Sequence, residues 1–234
     1  MSVPVEGPVL VVGSGLLGAS VGLALRRAGV AVWIDDVDPV CLDQALERGA
    51  GEPWDSTRDT PRLVVVAVPP ASAGAVMAEA MRFPDATITD VTSVKGAPLA
   101  SAIASGADPA RLVGGHPMAG REKSGPGAAR MELFDDRPWV VTPTAGTAQE
   151  RVQEVVDLAR TCGAVPFVMD PAEHDEAVAL TSHAPQLISS LLAARLLDAD
   201  AQAVAVSGQG LRDMTRIAGS DPQLWRAILS ANAD

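Results

Sequence analysis

Apolar positions along this chain come in two rhythms. Over the first two thirds, short apolar or β-branched segments at residues 9–12, 30–34, 62–68, 86–91, 111–114, 139–142 and 165–169 are mostly flanked by Gly, Pro or Asp. The β-branched run at 62–68, stopped by Pro69 and Pro70, reads as a strand buried on both faces, and the others read as further strands. Between them lie stretches that predict helices at 16–27, 39–48, 72–81, 98–105 and 147–161, with a loop at 49–60. Strands alternating with helices predict an α/β fold, Rossmann-type and doubly wound, whose mainly parallel sheet presents ligands at the carboxyl ends of its strands.

At Asp170 the rhythm changes. Asp170, Pro171 and Glu173 supply an N-cap, a first-turn proline and an N3 acid, which together start a helix. Apolar residues then recur at Ala177, Leu180, Ala184, Leu187, Ile188 and Leu191, and the remainder to Asp234 reads as helical. Pro185 cannot donate to the Thr181 carbonyl, so a kink is expected in this stretch. The pattern divides the chain into residues 1–170 and a smaller all-α unit, 171–234. The second is short for a core of its own and is expected to bury apolar surface against the first domain and a second copy of the chain.

The first apolar run leads directly into Gly13, Ser14, Gly15, Leu16, Leu17 and Gly18, a G-x-G-x-x-G turn opening a helix. Glycines at this spacing allow a tight turn and bring main-chain amides and a helix N-terminus against a pyrophosphate. About twenty residues on, the second run ends in Asp35 and Asp36, an acid at the strand tip that can accept ribose hydroxyls. A carboxylate there would repel a 2′-phosphate, so the expected cofactor is NAD rather than NADP, with Asp36 favoured over Asp35 as its ribose partner. Val68 and Pro69, at the end of the third apolar run, complete the expected cofactor edge.

Composition narrows the classes further. The chain has 234 residues, 47% of them hydrophobic and 20% charged, which fits a packed core rather than disorder. A formal net charge of −11 argues against nucleic acid or an anionic membrane as partner, because both select a positive surface. Cys41 and Cys162 are far apart and form no C-x-x-C pair, so neither a disulfide framework nor a metal site is expected, in keeping with a reducing cytoplasm. The apolar N-terminus lacks the basic flank of a signal peptide, and no transmembrane run is found.

The candidate chemistry sits at the predicted strand ends. His116 follows the run at 111–114, where a side chain titrating near neutral pH can take a proton from a substrate hydroxyl. Ser93 and Lys95 follow the run at 86–91. Arg212 and Arg216, four apart on one predicted helix face, form either a surface ion pair with Asp213 or a clamp for a carboxylate. His183 and Gln186 flank Pro185 on another face, and His174 reads as structural.

Four separated segments, G-S-G-L-L-G at 13–18, D-V-T-S-V-K-G at 90–96, G-H-P-M-A-G-R-E-K-S-G at 115–125 and R-D-M-T-R-I-A-G-S-D-P-Q-L-W-R at 212–226, resemble prephenate and arogenate dehydrogenases. T-S-H-A-P-Q at 181–186 is similar to the helical substrate segment of that family. The resemblance implies oxidative decarboxylation of a small ring substrate with NAD, and a homodimer formed through the helical domain. It implies that His116 bonds the ring hydroxyl and accepts its proton, that Ser93 lies near that histidine and the nicotinamide, and that Arg216 holds the side-chain carboxylate. Glu122, His183 and Trp225 fall on positions that shape the pocket. Gln186 stands where many members carry a second histidine, facing substrate, which leaves the choice between prephenate and arogenate open. The chain ends soon after Trp225, which implies an abbreviated dimer region without the regulatory domain of some members.

Two rival readings share the glycine motif. A β-hydroxyacid dehydrogenase or imine reductase would call for a catalytic lysine or another polar group on the first long helix of the helical domain, where this chain offers His183 and Gln186. A non-catalytic NAD-binding sensor would bind the dinucleotide and leave both ring acids untouched.

Overall fold

The structure is a computed structural model that describes residues 5–120 and 125–233. The strands β1 (Val9–Val12), β2 (Val32–Asp35), β3 (Glu52–Pro53), β4 (Leu63–Val66), β5 (Thr87–Asp90), β6 (Leu112–Pro117), β7 (Pro138–Thr142) and β8 (Val165–Val168) form one eight-stranded sheet. Their order is β3-β2-β1-β4-β5-β6-β7-β8, parallel throughout except for the antiparallel pair β6–β7. Helices α1 (Leu16–Arg27), α2 (Pro39–Glu47), α3 (Pro70–Glu79), α4 (Gly96–Ala104) and α5 (Gln149–Thr161) make the connections. Two apolar layers hold the sheet: one joins α1 and α5 through Leu25, Ile34, Leu63 and Leu158, the other joins α3 and α4 through Leu10, Met77, Ile88 and Ala102. Strand order reverses between β1 and β4, and this switch point opens a crevice at their carboxyl ends.

The run at 62–68 became the central strand β4, fully buried as expected of a parallel sheet, and β1 and β5 beside it are buried except for the half-buried Val12. The run at 165–169 became the edge strand β8, with Val165, Phe167 and Val168 exposed. The differences have local causes. The expected loop at 49–60 contains β3, a two-residue edge strand with no apolar signature of its own. Helix α3 starts at Pro70, with proline in its first turn, rather than at 72. The run at 111–114 is the first part of a longer β6, because Gly114 to Pro117 pair antiparallel with β7. His116 is therefore inside the strand rather than beyond it.

Beyond β8 every element is helical: α6 (Pro171–Val178), a π-helical turn (Ala179–His183), α7 (Ala184–Leu196), α8 (Ala201–Ala205), α9 (Gln209–Thr215), a 3₁₀ turn (Arg216–Gly219) and α10 (Pro222–Ala231). Asp170 caps α6 through its side chain, as its position before Pro171 predicts. The irregularity expected at Pro185 takes the form of the π turn immediately before it. Among the described residues no helix is long and apolar enough to cross a membrane.

Candidate active site

The turn between β1 and α1 is shaped by two glycines. Gly13 has a φ of +98°, and a Cβ there would lie 2.5 Å from the Ala67 carbonyl oxygen; at Gly18 it would lie 1.9 Å from the Gly13 oxygen. Only a chain without side chains at both positions closes this turn and packs α1 on the end of β4. Beside Gly15, by contrast, a Cβ would meet nothing within 4 Å. No side chain caps α1, so the amides of Leu16, Leu17 and Gly18 stand at the positive end of an uncapped helix.

The acid at the tip of β2 reaches this turn. The Asp36 carboxylate accepts the Ser14 hydroxyl at 2.7 Å and also the Ser14 N–H. Asp35 instead belongs to β2, and its carbonyl accepts the Gly13 N–H at 2.8 Å. Val68 and Pro69 follow β4 across the crevice, half-buried and exposed respectively. An uncapped helix start on an open face, with a fixed carboxylate beside it, fits a dinucleotide: the turn would hold the pyrophosphate and Asp36 the ribose.

The second cluster contains every histidine in the chain. His116, His174 and His183 are 9%, 0% and 4% exposed. His116 Nδ1 lies 2.8 Å from His174 Nε2, and His174 Nδ1 lies 2.7 Å from Asp175 Oδ1. Asp175 Oδ1 also accepts the Lys95 N–H at 2.9 Å, and its Oδ2 accepts the Gly96 N–H at 2.8 Å. The carboxylate thus caps α4 from the helical half of the chain, which is why α4 begins at Gly96 rather than at the expected Pro98. The buried Lys95 ammonium donates to the Asp90 carboxylate and to the Gly115 carbonyl, next to His116.

Electrostatics follow from this packing. Burial, with the Lys95 ammonium nearby adding to it, pushes His116 well below the ordinary histidine range. His116 is therefore neutral at physiological pH, as a proton acceptor must be. Burial pulls Lys95 down as well, opposed by Asp90. Burial raises the Asp175 carboxyl, but the hydrogen bonds from His174, Gly96 and Lys95 outweigh it and hold the group below the usual carboxylate range. His183 is lowered, chiefly by burial.

The helical residues gather beside this cluster. Asn232 donates to His183 Nδ1 at 3.2 Å and to the Asp175 carbonyl at 2.9 Å. Trp225, on α10, meets the His183 ring edge-on at 6.1 Å. Gln186, expected to face substrate, is 4% exposed, and its amide donates to the Ile217 carbonyl at 3.0 Å. Through that bond it anchors the turn that carries Arg216. Arg212 and Arg216 do not share a continuous α-helical face, because α9 ends at Thr215 and Arg216 opens the tighter 3₁₀ turn. Asp213 pairs with Gln209, and among the described residues the exposed Arg216 has no carboxylate partner. Ser93 lies half-buried in the loop before α4. Glu122 lies outside the described residues.

His174, expected to be structural, proves to be the immediate neighbour of His116, and Asp175, which drew no expectation, stands one hydrogen bond behind it. Their one signal in the sequence was an adjacent His-Asp pair in the opening turns of α6.

The chain matches the profile of the prephenate dehydrogenase nucleotide-binding domain over residues 21–168 and that of the prephenate dehydrogenase dimerization domain over 170–234. It is 40% identical over 226 residues to a probable prephenate dehydrogenase of Streptomyces niveus, an alignment that spans 96% of this chain and 62% of that protein. Among solved structures, the prephenate dehydrogenase of A. aeolicus in complex with hydroxyphenyl propionate and NAD+ superposes with a TM-score of 0.86 at 30% identity, over 100% of this chain and 84% of the other. An arogenate dehydrogenase from Synechocystis gives 0.81 at 29% identity, over 96% and 84%. By profile, sequence and fold together, the chain belongs to the prephenate dehydrogenase family.

Proposed function

We propose that the chain is an NAD-dependent dehydrogenase that oxidatively decarboxylates prephenate to 4-hydroxyphenylpyruvate. The observation that carries this reading is His116. It is buried and neutral, its Nδ1 is engaged by His174, and its Nε2 remains for a substrate hydroxyl on the same sheet edge as the open glycine turn. The A. aeolicus relative, solved with NAD+ and a hydroxyphenyl acid, supports the same pairing of cofactor and ring substrate.

When bound, the nicotinamide supplies the hydride acceptor; the chain positions the ring and manages one proton. His116 accepts the ring hydroxyl proton, Ser93 lies at the nicotinamide side, and Arg216 pairs with the side-chain carboxylate. His183 and Trp225 shape the ring pocket, and Gln186 holds the Arg216 turn against it. Glu122 is assigned to the pocket by resemblance alone. Loss of the ring carboxylate is driven by aromatisation, so no separate group is needed to expel it.

Arogenate, with an amino in place of a keto side chain, is the second reading. Gln186, where many members carry histidine, and the likeness to the Synechocystis arogenate dehydrogenase favour keeping it. NADH formation with prephenate and arogenate side by side, each with NAD and NADP, tests enzyme, substrate and cofactor at once. Turnover of neither acid overturns the reading.

We further propose that the two halves of the chain divide near residue 170 and that the helical half pairs with a second copy. Helix α7 supports this: it buries Gln186 and Ser189 while Leu187, Ile188 and Leu191 are 46%, 55% and 66% exposed. A helix with polar residues inward and leucines outward calls for an apolar cover. Free Cys41 and Cys162 accord with a cytoplasmic setting.

A further inference from the structure

The dyad beside His116 specifies more than its position. Asp175 accepts two backbone N–H groups and is held as the anion, so the proton between it and His174 resides on His174 Nδ1. An uncharged His174 then has a bare Nε2. Two bare ring nitrogens 2.8 Å apart would repel, so His116 Nδ1 must carry the proton in that contact.

We propose that His174 and Asp175 are positioning residues that hold His116 as its Nδ1–H tautomer, making Nε2 the basic nitrogen. This rests on the reaction proposed above. The proton balance of that reaction sharpens the role. The ring O–H bond breaks as its proton passes to His116 Nε2, the C–H bond at the same ring carbon breaks as its hydride would pass to the NAD of the proposed reaction, and the ring oxygen becomes a carbonyl. The bond to the ring carboxylate then breaks, carbon dioxide leaves, and its electron pair aromatises the ring. The oxygen regains its proton from Nε2, because the product is a phenol. The proton is borrowed and returned, so the protein must hold it briefly without losing it. A buried His116, whose imidazolium charge is shared through His174 with an anionic Asp175, meets that need. Around His116 the facing charged and titratable groups are Lys95 before α4, with Asp90 on β5 behind it, His174 on α6 and His183 on the π turn; around Asp175 they are His174, Lys95 and His183. Only Asp175 offers His116 a relayed negative charge, since Asp90 is taken by Lys95.

The test is to record ¹⁵N–¹H spectra of the histidine rings in the full-length protein at alkaline pH. Three histidines give few signals, and His116→Asn identifies its own by loss. The expected result is His116 protonated on Nδ1 in the wild type, shifting toward the Nε2–H form in Asp175→Asn and His174→Leu. His174→Gln should restore the wild-type tautomer, since its amide oxygen can accept from Nδ1–H. In turnover, Asp175→Asn should lower kcat about ten- to hundredfold, part of the 10²–10⁴ that general acid–base catalysis contributes, with KM for NAD unchanged and the acid limb of the pH profile displaced. An Nε2–H His116 in the wild type, or an Nδ1–H tautomer retained in both Asp175→Asn and His174→Leu, overturns the proposal. The wild-type spectrum decides even if a variant does not fold. If the wild type turns over neither ring acid, the reaction assignment fails, while the spectra still decide the positioning.

Discussion

The Asp36 carboxylate accepts the Ser14 hydroxyl at 2.7 Å, tying the acid at the tip of β2 to the second residue of the glycine-rich turn. A carboxylate fixed there would meet the adenosine ribose without first having to be ordered, and would repel a 2′-phosphate in the same place. Asp36→Ala should raise KM for NAD about ten- to a hundredfold, the loss of a charge-assisted hydrogen bond worth about 1.5–3 kcal/mol. Asp35→Ala should do less. Equal turnover with NADP in the wild type would sink the assignment, and a larger effect at Asp35 would move it by one residue.

What the sequence revealed depended on how local the cause was. Strands buried on both faces announce themselves as continuous apolar runs, and the Asp170-Pro171 helix start is written within four residues, so both were legible. The cap on α4 is not local: its carboxylate belongs to Asp175, and the helix begins two residues early for that reason. The extension of β6 through His116 comes from pairing with β7, a partner more than twenty residues on. His116 could be chosen from its residue type and its place at a sheet edge. His174 could not, because a histidine near a helix start looks the same whether it faces a methyl group or another histidine.

His116 is the second point of test. Replacing it with Asn preserves some polarity but removes the base, and kcat should fall about 10²–10⁴-fold with little change in NAD affinity. In the wild type kcat/KM should fall as pH drops, with a midpoint below the ordinary histidine value, because burial disfavours the protonated ring. Unchanged kcat in the variant would leave His116 a packing residue.

The same shifts couple folding to pH. His116 and His183 both titrate lower in the folded chain than in the unfolded one, so between the two values the unfolded chain binds more protons. Their contribution is complete above the unfolded value, about 6.5, and is lost as pH falls through the folded ones, with a slope of at most about 1.4 kcal/mol per pH unit for each. Thermal melting followed from neutral to mildly acidic pH should show Tm falling. His116→Asn should flatten that fall, and an identical slope in the variant would mean that His116 is not buried in its neutral form.

The outward leucines of α7 give an assembly test. Leu191 is 66% exposed, and Leu191→Glu would place a charge in the apolar contact proposed between copies. Sedimentation should show a dimer for the wild type and a concentration-dependent shift to monomer for the variant. A wild type that is monomeric at micromolar concentration removes the proposal.

Binding of the proposed substrate is the hardest demand on this chain, since prephenate carries two carboxylates and the protein a net charge of −11. Attraction must therefore be local. Arg216 is exposed and, among the described residues, free of a carboxylate partner, and its turn is anchored by the Gln186–Ile217 bond at 3.0 Å. An anchored guanidinium loses less freedom on binding than one on a loose segment. Arg216→Ala should raise KM for the ring acid about ten- to a hundredfold, the equivalent of about 1.5–3 kcal/mol for a charge-assisted contact. Arg216→Lys should recover part of it, because an ammonium lacks the planar fork. Arg212 is the control: it lies on α9 before the chain tightens into the 3₁₀ turn, so the two arginines point differently and Arg212→Ala should cost less. Gln186→Ala should behave as a weaker copy of Arg216→Ala, raising KM for substrate with KM for NAD unchanged, because it releases the turn without removing the charge. A larger KM effect at Arg212 than at Arg216 would transfer the carboxylate contact to the α-helical face.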